Sequence, residues 1–215
     1  SGVAWSLRHP AVIWTVPDGR VDSVWAVYDR GEVLGSVPVE LPGVWDVEDL
    51  SSAPCAAGTC LFLADIGDNA LTRDSVVVWR IPEPELPRGG DAGVSAREPM
   101  RAEPWVLRYP GPEHDAEASF LDRAGRIHLV SKGAEKPAGH FLGPVVTEGS
   151  GDARLDRVQT VEDRVRPLGD MVTGASAVPG SDLVVLRTYR DLLVYRLDGD
   201  DLVPVEGGVQ SLLML

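Results

Sequence analysis

Short apolar runs rich in Val, Ile, Leu and Trp recur along the whole chain, separated by Gly, Pro, Asp and Asn. Runs such as "AVIWTV" (11–16), "SVWAVYD" (23–29) and "CLFLADI" (60–66) have the length and the boundaries of β-strands. No convincing helical period lies between these runs. The pattern therefore predicts an all-β protein.

The predicted strands recur in sets of four, which favours a β-propeller of about four four-stranded blades. Each set begins with small or polar residues, as a strand beside a narrow central channel requires. A β-sandwich or one large barrel also has strands at this spacing and stays open as an alternative, as does an incomplete five- or six-bladed ring. The predicted single propeller domain has blades at 1–43, 44–111, 112–164 and 165–208 and a tail at 209–215.

The charge of the chain limits its partners. The 215 residues carry a net charge of −13, and no run rich in Lys and Arg occurs. Because such a surface repels phosphate backbones, we expect no nucleic-acid partner. No apolar run approaches the length of about 20 residues that spans a bilayer, so we expect no membrane span. The acidity is compatible with bound cations, but it favours the simpler interpretation of a solvated surface that is kept soluble by self-repulsion.

The two cysteines of the chain, Cys55 and Cys60, lie in the loop "SSAPCAAGTC". Neither His nor further Cys is close enough in sequence to complete a metal tetrad. The economical prediction is a local disulfide, which would place the protein in an oxidising compartment: secreted, periplasmic or at the cell surface. Two reduced thiols in a loop remain the alternative.

Blade geometry predicts where the acidic residues meet. In an up-and-down blade, the start of the first strand and the turn between the second and third strands lie at the same end. Acidic and amide residues fall at these positions in blades two and three, so we expect them around one mouth of the channel. They are Asp46, Glu48, Asp49, Asp65, Asp68, Asn69, His114, Asp115 and Glu117.

Several segments resemble those of bacterial, exported β-propeller proteins related to the esterase-like/phytase-like and strictosidine-synthase/gluconolactonase-like propellers. The segments are "SGVAWSLRHPAVIWT" (1–15), "DVEDLSS" (46–52), "CLFLADIGDNALTRDSVVVWRIPEP" (60–84), "RYPGPEHDAEASFLD" (108–122) and "VTGAS…LVVLRTY" (172–189). The resemblance implies a propeller and export. It implies no particular activity, because the group has no agreed one. The group usually has an Asn-Asp-Ser-Gly turn in blade one, of which only Asp18 remains here, and it usually has Asp where this chain has Ser176.

Three hypotheses about function follow. The first is a binding module with a divalent cation, most plausibly Ca²⁺, at the channel mouth, because carboxylate and amide oxygens are its usual ligands. Its predicted ligands are Glu48, Asp65, Asp68, Asn69 and Glu117. For Asp65 to Asn69, turn chemistry is an equal alternative.

The second hypothesis is a metal-assisted hydrolase of a lactone, ester or phosphoester, with His114 as general base. The third is a protein-interaction scaffold that docks a partner on the same face. Further predicted ligand-binding residues on this face are Asp46, Asp49, Asp115, Thr173 and Arg187. The expected partner is a small molecule or a protein.

Overall fold

The computed structural model describes residues 2–86, 98–112, 114–133, 137–161 and 171–212. In these residues the chain forms strands and no helix longer than one turn. Four small sheets are arranged as a four-bladed β-propeller, which confirms the predicted fold class. No helix long and apolar enough to cross a membrane occurs in these ranges.

Blade one contains β1 (Val3–Trp5), β2 (Val12–Thr15), β3 (Ser23–Tyr28) and β4 (Val33–Glu40). Blade two contains β5 (Val47–Cys55), β6 (Gly58–Asp65), β7 (Val76–Pro82) and, after the short β8 (Met100–Arg101), β9 (Glu103–Arg108). Blade three contains β10 (Ala116–Leu121), β11 (Arg126–Ser131), β12 (Gly139–Val145) and, after β13 (Gly151–Arg154), β14 (Asp156–Thr160). Blade four contains β15 (Val172–Ala177), β16 (Leu183–Thr188), β17 (Asp191–Asp198) and β18 (Asp201–Ser211).

Two short strands leave their own blade to cover the outer edge of the preceding one. β8 pairs in parallel with β4 of blade one, and β13 pairs in parallel with β9 of blade two. The sequence pattern predicts one strand over 153–161, but Leu155 separates β13 from β14 because the two pair with different blades. Both crossovers protect an edge that would otherwise expose unpaired backbone groups.

The hydrophobic core is divided into three clusters, which lie between blades one and two, between blades two and three, and between blades three and four. Val24 and Leu63 belong to the first cluster, Phe62 and Leu129 to the second, and Phe120 and Leu186 to the third. Within the ranges that the structure describes, no such cluster joins blade four to blade one.

The face of blade one that a fourth cluster would cover is apolar and exposed. Strand register places Val3, Trp5, Trp25 and Val33 on this one face, and each is at least 39% exposed. Among the described residues, apolar clusters therefore pack three of the four interfaces between blades.

Cys55 and Cys60 form a disulfide across the β5–β6 hairpin, with Cα atoms 5.8 Å apart, which confirms the predicted bridge. It closes a tight hairpin at the end of blade two away from the acidic loops.

Two histidines are fully buried inside blade three. His128 Nδ1 lies 2.8 Å from His140 Nε2, and the Phe120 ring stacks on His128 at 4.5 Å between ring centroids. Burial, with the neighbouring His128 adding to it, lowers the pKa of His140 to about 3. The His140 ring is therefore neutral at physiological pH, and a neutral imidazole can make this hydrogen bond to His128.

Candidate functional site

Asp65 ends β6 and is almost completely buried. Its Oδ1 accepts hydrogen bonds from the backbone N–H of Asp46 (2.9 Å) and from Nη1 of Arg73 (3.0 Å). Its Oδ2 accepts one from the backbone N–H of Trp45 (3.2 Å). Asp65 thus fixes the segment that leads into β5, and its oxygens have protein partners.

Asp68 organises the loop that follows. Its two carboxylate oxygens accept the backbone N–H groups of Thr72 (3.0 Å) and Arg73 (2.9 Å), as turn-forming aspartates do. Its own N–H donates to Oδ1 of Asp115 (2.9 Å), which ties the loop to blade three. The turn interpretation therefore accounts for the oxygens of Asp68.

Asp46 and Glu48 converge on the backbone of Gly67. A methyl group added at Gly67 would lie 2.5 Å from Oδ2 of Asp46 and 2.6 Å from Oε1 of Glu48. A side chain there would displace the carboxyl groups, whose two nearest oxygens lie within about 5 Å of each other. The carbonyl oxygen of Gly19, beside Asp18, accepts a hydrogen bond from the N–H of Val47. This bond holds the turn of blade one against the start of β5.

The electrostatics of this cluster centre on Glu48, which is only 5% exposed. Burial, and then the carboxylates of Glu117, Asp46 and Asp18, raise the pKa of Glu48 to about 8. Burial and the charge of Asp18 also raise the pKa of Asp46. The mouth therefore holds more carboxyl groups than it can ionise together at neutral pH, and Glu48 keeps its proton.

Lys132 supplies the cation on the blade-three side of the mouth. Its Nζ donates to Oε1 of Glu117, lies 3.6 Å from Oδ2 of Asp115 and lies 3.5 Å from Oδ1 of Asn69. Burial alone would lower the pKa of Lys132, but Glu117 and Asp115 raise it. The mouth thus already binds one primary ammonium group, at Glu117.

Asp49, the next residue after Glu48, lies on the channel side of β5 and is 3% exposed. Its Oδ1 accepts the N–H of Leu50 (2.9 Å), and its Oδ2 accepts those of Ser119 in β10 (2.8 Å) and Ala175 in β15 (3.1 Å). Burial raises the pKa of Asp49 to about 7, against these three hydrogen bonds. This one carboxyl group therefore joins blades two, three and four at the centre.

The remaining predicted site residues lie around the mouth in smaller groups. His114 is half-buried, with its ring 5.1 Å from that of Tyr109 and 4.8 Å from that of Phe141. In blade four, Arg187 donates from Nε to Oγ1 of Thr173 (3.0 Å) and from Nη2 to its carbonyl oxygen (2.8 Å). A catalytic role for His114 and a ligand-binding role for the other two stay predictions.

The structure divides the predicted calcium ligands. Glu48 and Glu117 face the same mouth, and Asn69 contacts it through Lys132, whereas the oxygens of Asp65 and Asp68 are bonded to backbone and to Arg73. In the described ranges, no group of three or more His, Cys, Asp or Glu side chains is arranged to hold a metal ion.

Sequence reasoning did not assign site roles to Arg73 and Lys132. The signal was present for Arg73, because a basic residue in the same turn as Asp65 and Asp68 is their nearest available counter-ion. For Lys132 the signal was its position in the corresponding turn of blade three.

No known protein family matches this sequence, and no curated protein does. Among solved structures, a plant albumin from Cicer arietinum that shows hemagglutination is 11% identical with a TM-score of 0.45, covering 99% of this chain and 93% of that one. A protein from Lactobacillus plantarum is 15% identical with a TM-score of 0.40, covering 98% and 70%.

A chain of the Polycomb Repressive Complex 2 of Chaetomium thermophilum bound to GSK126, in a humanized mutant form, is 13% identical with a TM-score of 0.40. The match covers 95% of this chain but only 40% of that one, so this chain spans less than half of its length. At this level of similarity, none of the three proteins bears on function.

Proposed function

We propose that this chain is a binding module whose channel mouth binds a cation, an organic ammonium group or Ca²⁺, at Asp46 and Glu48. The observation that carries the proposal is the convergence of Asp46 and Glu48 on Gly67, where burial and three neighbouring carboxylates raise the pKa of Glu48 to about 8. A bound cation would relieve this repulsion and let Glu48 ionise.

Lys132 supports the ammonium form of the proposal. Its amine already binds Glu117 and lies near Asp115 and Asn69 at the same mouth. A ligand amine would make the equivalent contacts on the blade-two side, where Asp46 and Glu48 converge on Gly67. Ca²⁺ is the second candidate because carboxylate oxygens are its usual ligands in proteins, but the side chains would have to rearrange, since no described group of three or more is arranged to hold a metal ion.

The disulfide supports export. Bridges of this kind persist in oxidising compartments, so Cys55–Cys60 fits a secreted, periplasmic or cell-surface protein. We propose this location together with the binding function.

The test is isothermal titration calorimetry at pH 7 with 1,4-diaminobutane and, separately, with CaCl₂. Each titration is repeated in two buffers of different ionisation enthalpy. Because the cation displaces the proton of Glu48, we expect the release of about one proton per bound cation. The arm that shows saturable binding with this release identifies the class of ligand.

Glu48→Gln is the variant of choice because it keeps the shape of a protonated carboxyl group. We expect it to abolish the proton release and to weaken binding about tenfold, the effect of losing one charge–charge contact at a partly dry site. The matched control is Asp156→Asn, which neutralises an exposed carboxylate on β14 and should change neither quantity. Absence of binding in both arms, or binding that Glu48→Gln leaves unchanged, would contradict the proposal.

A further inference from the structure

A cavity of about 560 Å³ lies on the outer side of blade two, away from the carboxyl cluster of Asp18, Asp46 and Glu48. It is formed where β13 crosses from blade three to lie in parallel beside β9. In this pairing Arg154 is the direct partner of Arg108, and Arg73 approaches from the loop before β7. The crossover thus brings three arginines to one cavity.

The cavity gathers arginines in an acidic protein. The lining holds Arg73, Arg108 and Arg154 with Asp74 and Asp152, in a chain of net charge −13. Arg108 forms an ion pair with Asp152, and Arg73 forms one with Asp65. The charge that the described carboxylates leave without an ion pair is therefore that of Arg154.

Many of the N–H donors of the three arginines have no partner among the residues that the structure describes. Each guanidinium has five N–H donors. Arg73 uses Nη1, on Asp65 and on the carbonyl oxygen of Gly67, and Arg154 uses Nη2 on the carbonyl oxygen of Pro110 at 3.2 Å. No ion pair between Arg154 and a carboxylate occurs among these same residues. The guanidinium of Arg154 is the group best placed to bind an anion.

Tyr109 also belongs to the lining, with its hydroxyl buried behind it. Its side chain is nine-tenths buried, and its hydroxyl has no hydrogen-bond partner in the described ranges. The ring is held by His114 and Phe141, whose centroids lie 5.1 and 4.9 Å away. Burial raises the pKa of Tyr109, so the hydroxyl keeps its proton and can donate.

We propose that this cavity is an oxyanion-binding site, in which Arg154 and Arg108, with Arg73 beside them, bind the phosphate or carboxylate group of a small ligand. The planar fork of arginine matches the paired oxygens of both groups. The cavity volume is within the range of sites that bind small organic molecules. The site is distinct from the cation-binding mouth, and Arg73 connects the two through its bonds to Asp65 and to the carbonyl oxygen of Gly67.

The experiment is a titration of the whole chain, at low ionic strength, with inorganic phosphate and separately with succinate, followed by NMR signals of the arginine side chains. NaCl at matched ionic strength is the reference for non-specific screening. We expect saturable shifts with phosphate, with succinate or with both that NaCl does not reproduce, and the stronger probe identifies the oxyanion.

The variants are Arg154→Gln and, as the matched control, Arg157→Gln on β14, which removes the same charge from an exposed position outside the cavity. We expect at least tenfold weaker binding for Arg154→Gln and unchanged binding for Arg157→Gln. Shifts that NaCl reproduces, or equal losses in the two arginine variants, would overturn the proposal.

Discussion

Replacing Asp49 by asparagine should destabilise the propeller, because this carboxyl group connects three blades. In the wild type, three buried backbone N–H groups donate to its two oxygens at 2.8–3.1 Å. An asparagine has one acceptor oxygen and one amide group. If that oxygen replaces Oδ2 and serves Ser119 and Ala175, the NH₂ group faces the N–H of Leu50.

The expected cost follows from this loss of one acceptor. A buried donor left without a partner costs about 1–3 kcal/mol, and the apposition of two donors adds to it. Asparagine avoids the cost of a buried charge, which offsets a part of this loss, since burial has raised the pKa of Asp49 to about 7. We therefore expect Asp49→Asn to lower the free energy of unfolding by roughly 2–3 kcal/mol.

Urea denaturation followed by the fluorescence of the six tryptophans measures this difference. Asp156→Asn, which changes an exposed carboxylate in the same way, is the control and should stay within about 0.5 kcal/mol of the wild type. Hydrogen exchange at the amides of Ser119 and Ala175 should accelerate in Asp49→Asn. A loss below 0.5 kcal/mol with unchanged exchange would refute the role of Asp49 as the connection between blades.

Three further changes test other parts of the structure. The pKa of His140 is lowered from 6.5 to about 3, so its contribution to stability is present above pH 6.5 and is lost as the pH falls towards 3. Between these two pH values the free energy of unfolding should rise with pH by up to about 1.4 kcal/mol per pH unit. His140→Gln should reduce this slope. Replacing Cys55 and Cys60 by serine should lower the free energy of unfolding by about 2 kcal/mol, the chain-entropy value for so short a loop, and an unchanged denaturation midpoint would contradict this. Gly67→Ala places a methyl group against the carboxyl groups of Asp46 and Glu48, and should abolish the calorimetric signal of cation binding; retained affinity would show that Gly67 does not shape the mouth.

The sequence predicted the fold well because the propeller depends on a local, repeated signal. Strand length, turn residues and the small residues of each inner strand recur four times, and the Cys55–Cys60 bridge needs only a tight hairpin. The β13 crossover was not predictable in this way, because Gly151–Arg154 continues directly into β14 and only the partner strand distinguishes the two.

The candidate site was predicted in its position and less well in its chemistry. Blade geometry placed Glu48 and Glu117 at one mouth. It did not specify which oxygens would be free, because Asp65 and Asp68 make bonds to Arg73 and to backbone N–H groups that depend on the shape of the loop. Asp49 shows the same limit, since its partners Ser119 and Ala175 are distant in sequence.

The pKa of Glu48 is the most direct test of the proposed cation site. A carbon-detected NMR titration of its side-chain carboxyl carbon should give a midpoint of about pH 8, and the midpoint should fall when a saturating cation is added. A midpoint near the ordinary value of 4.5 that the cation does not move would contradict the account.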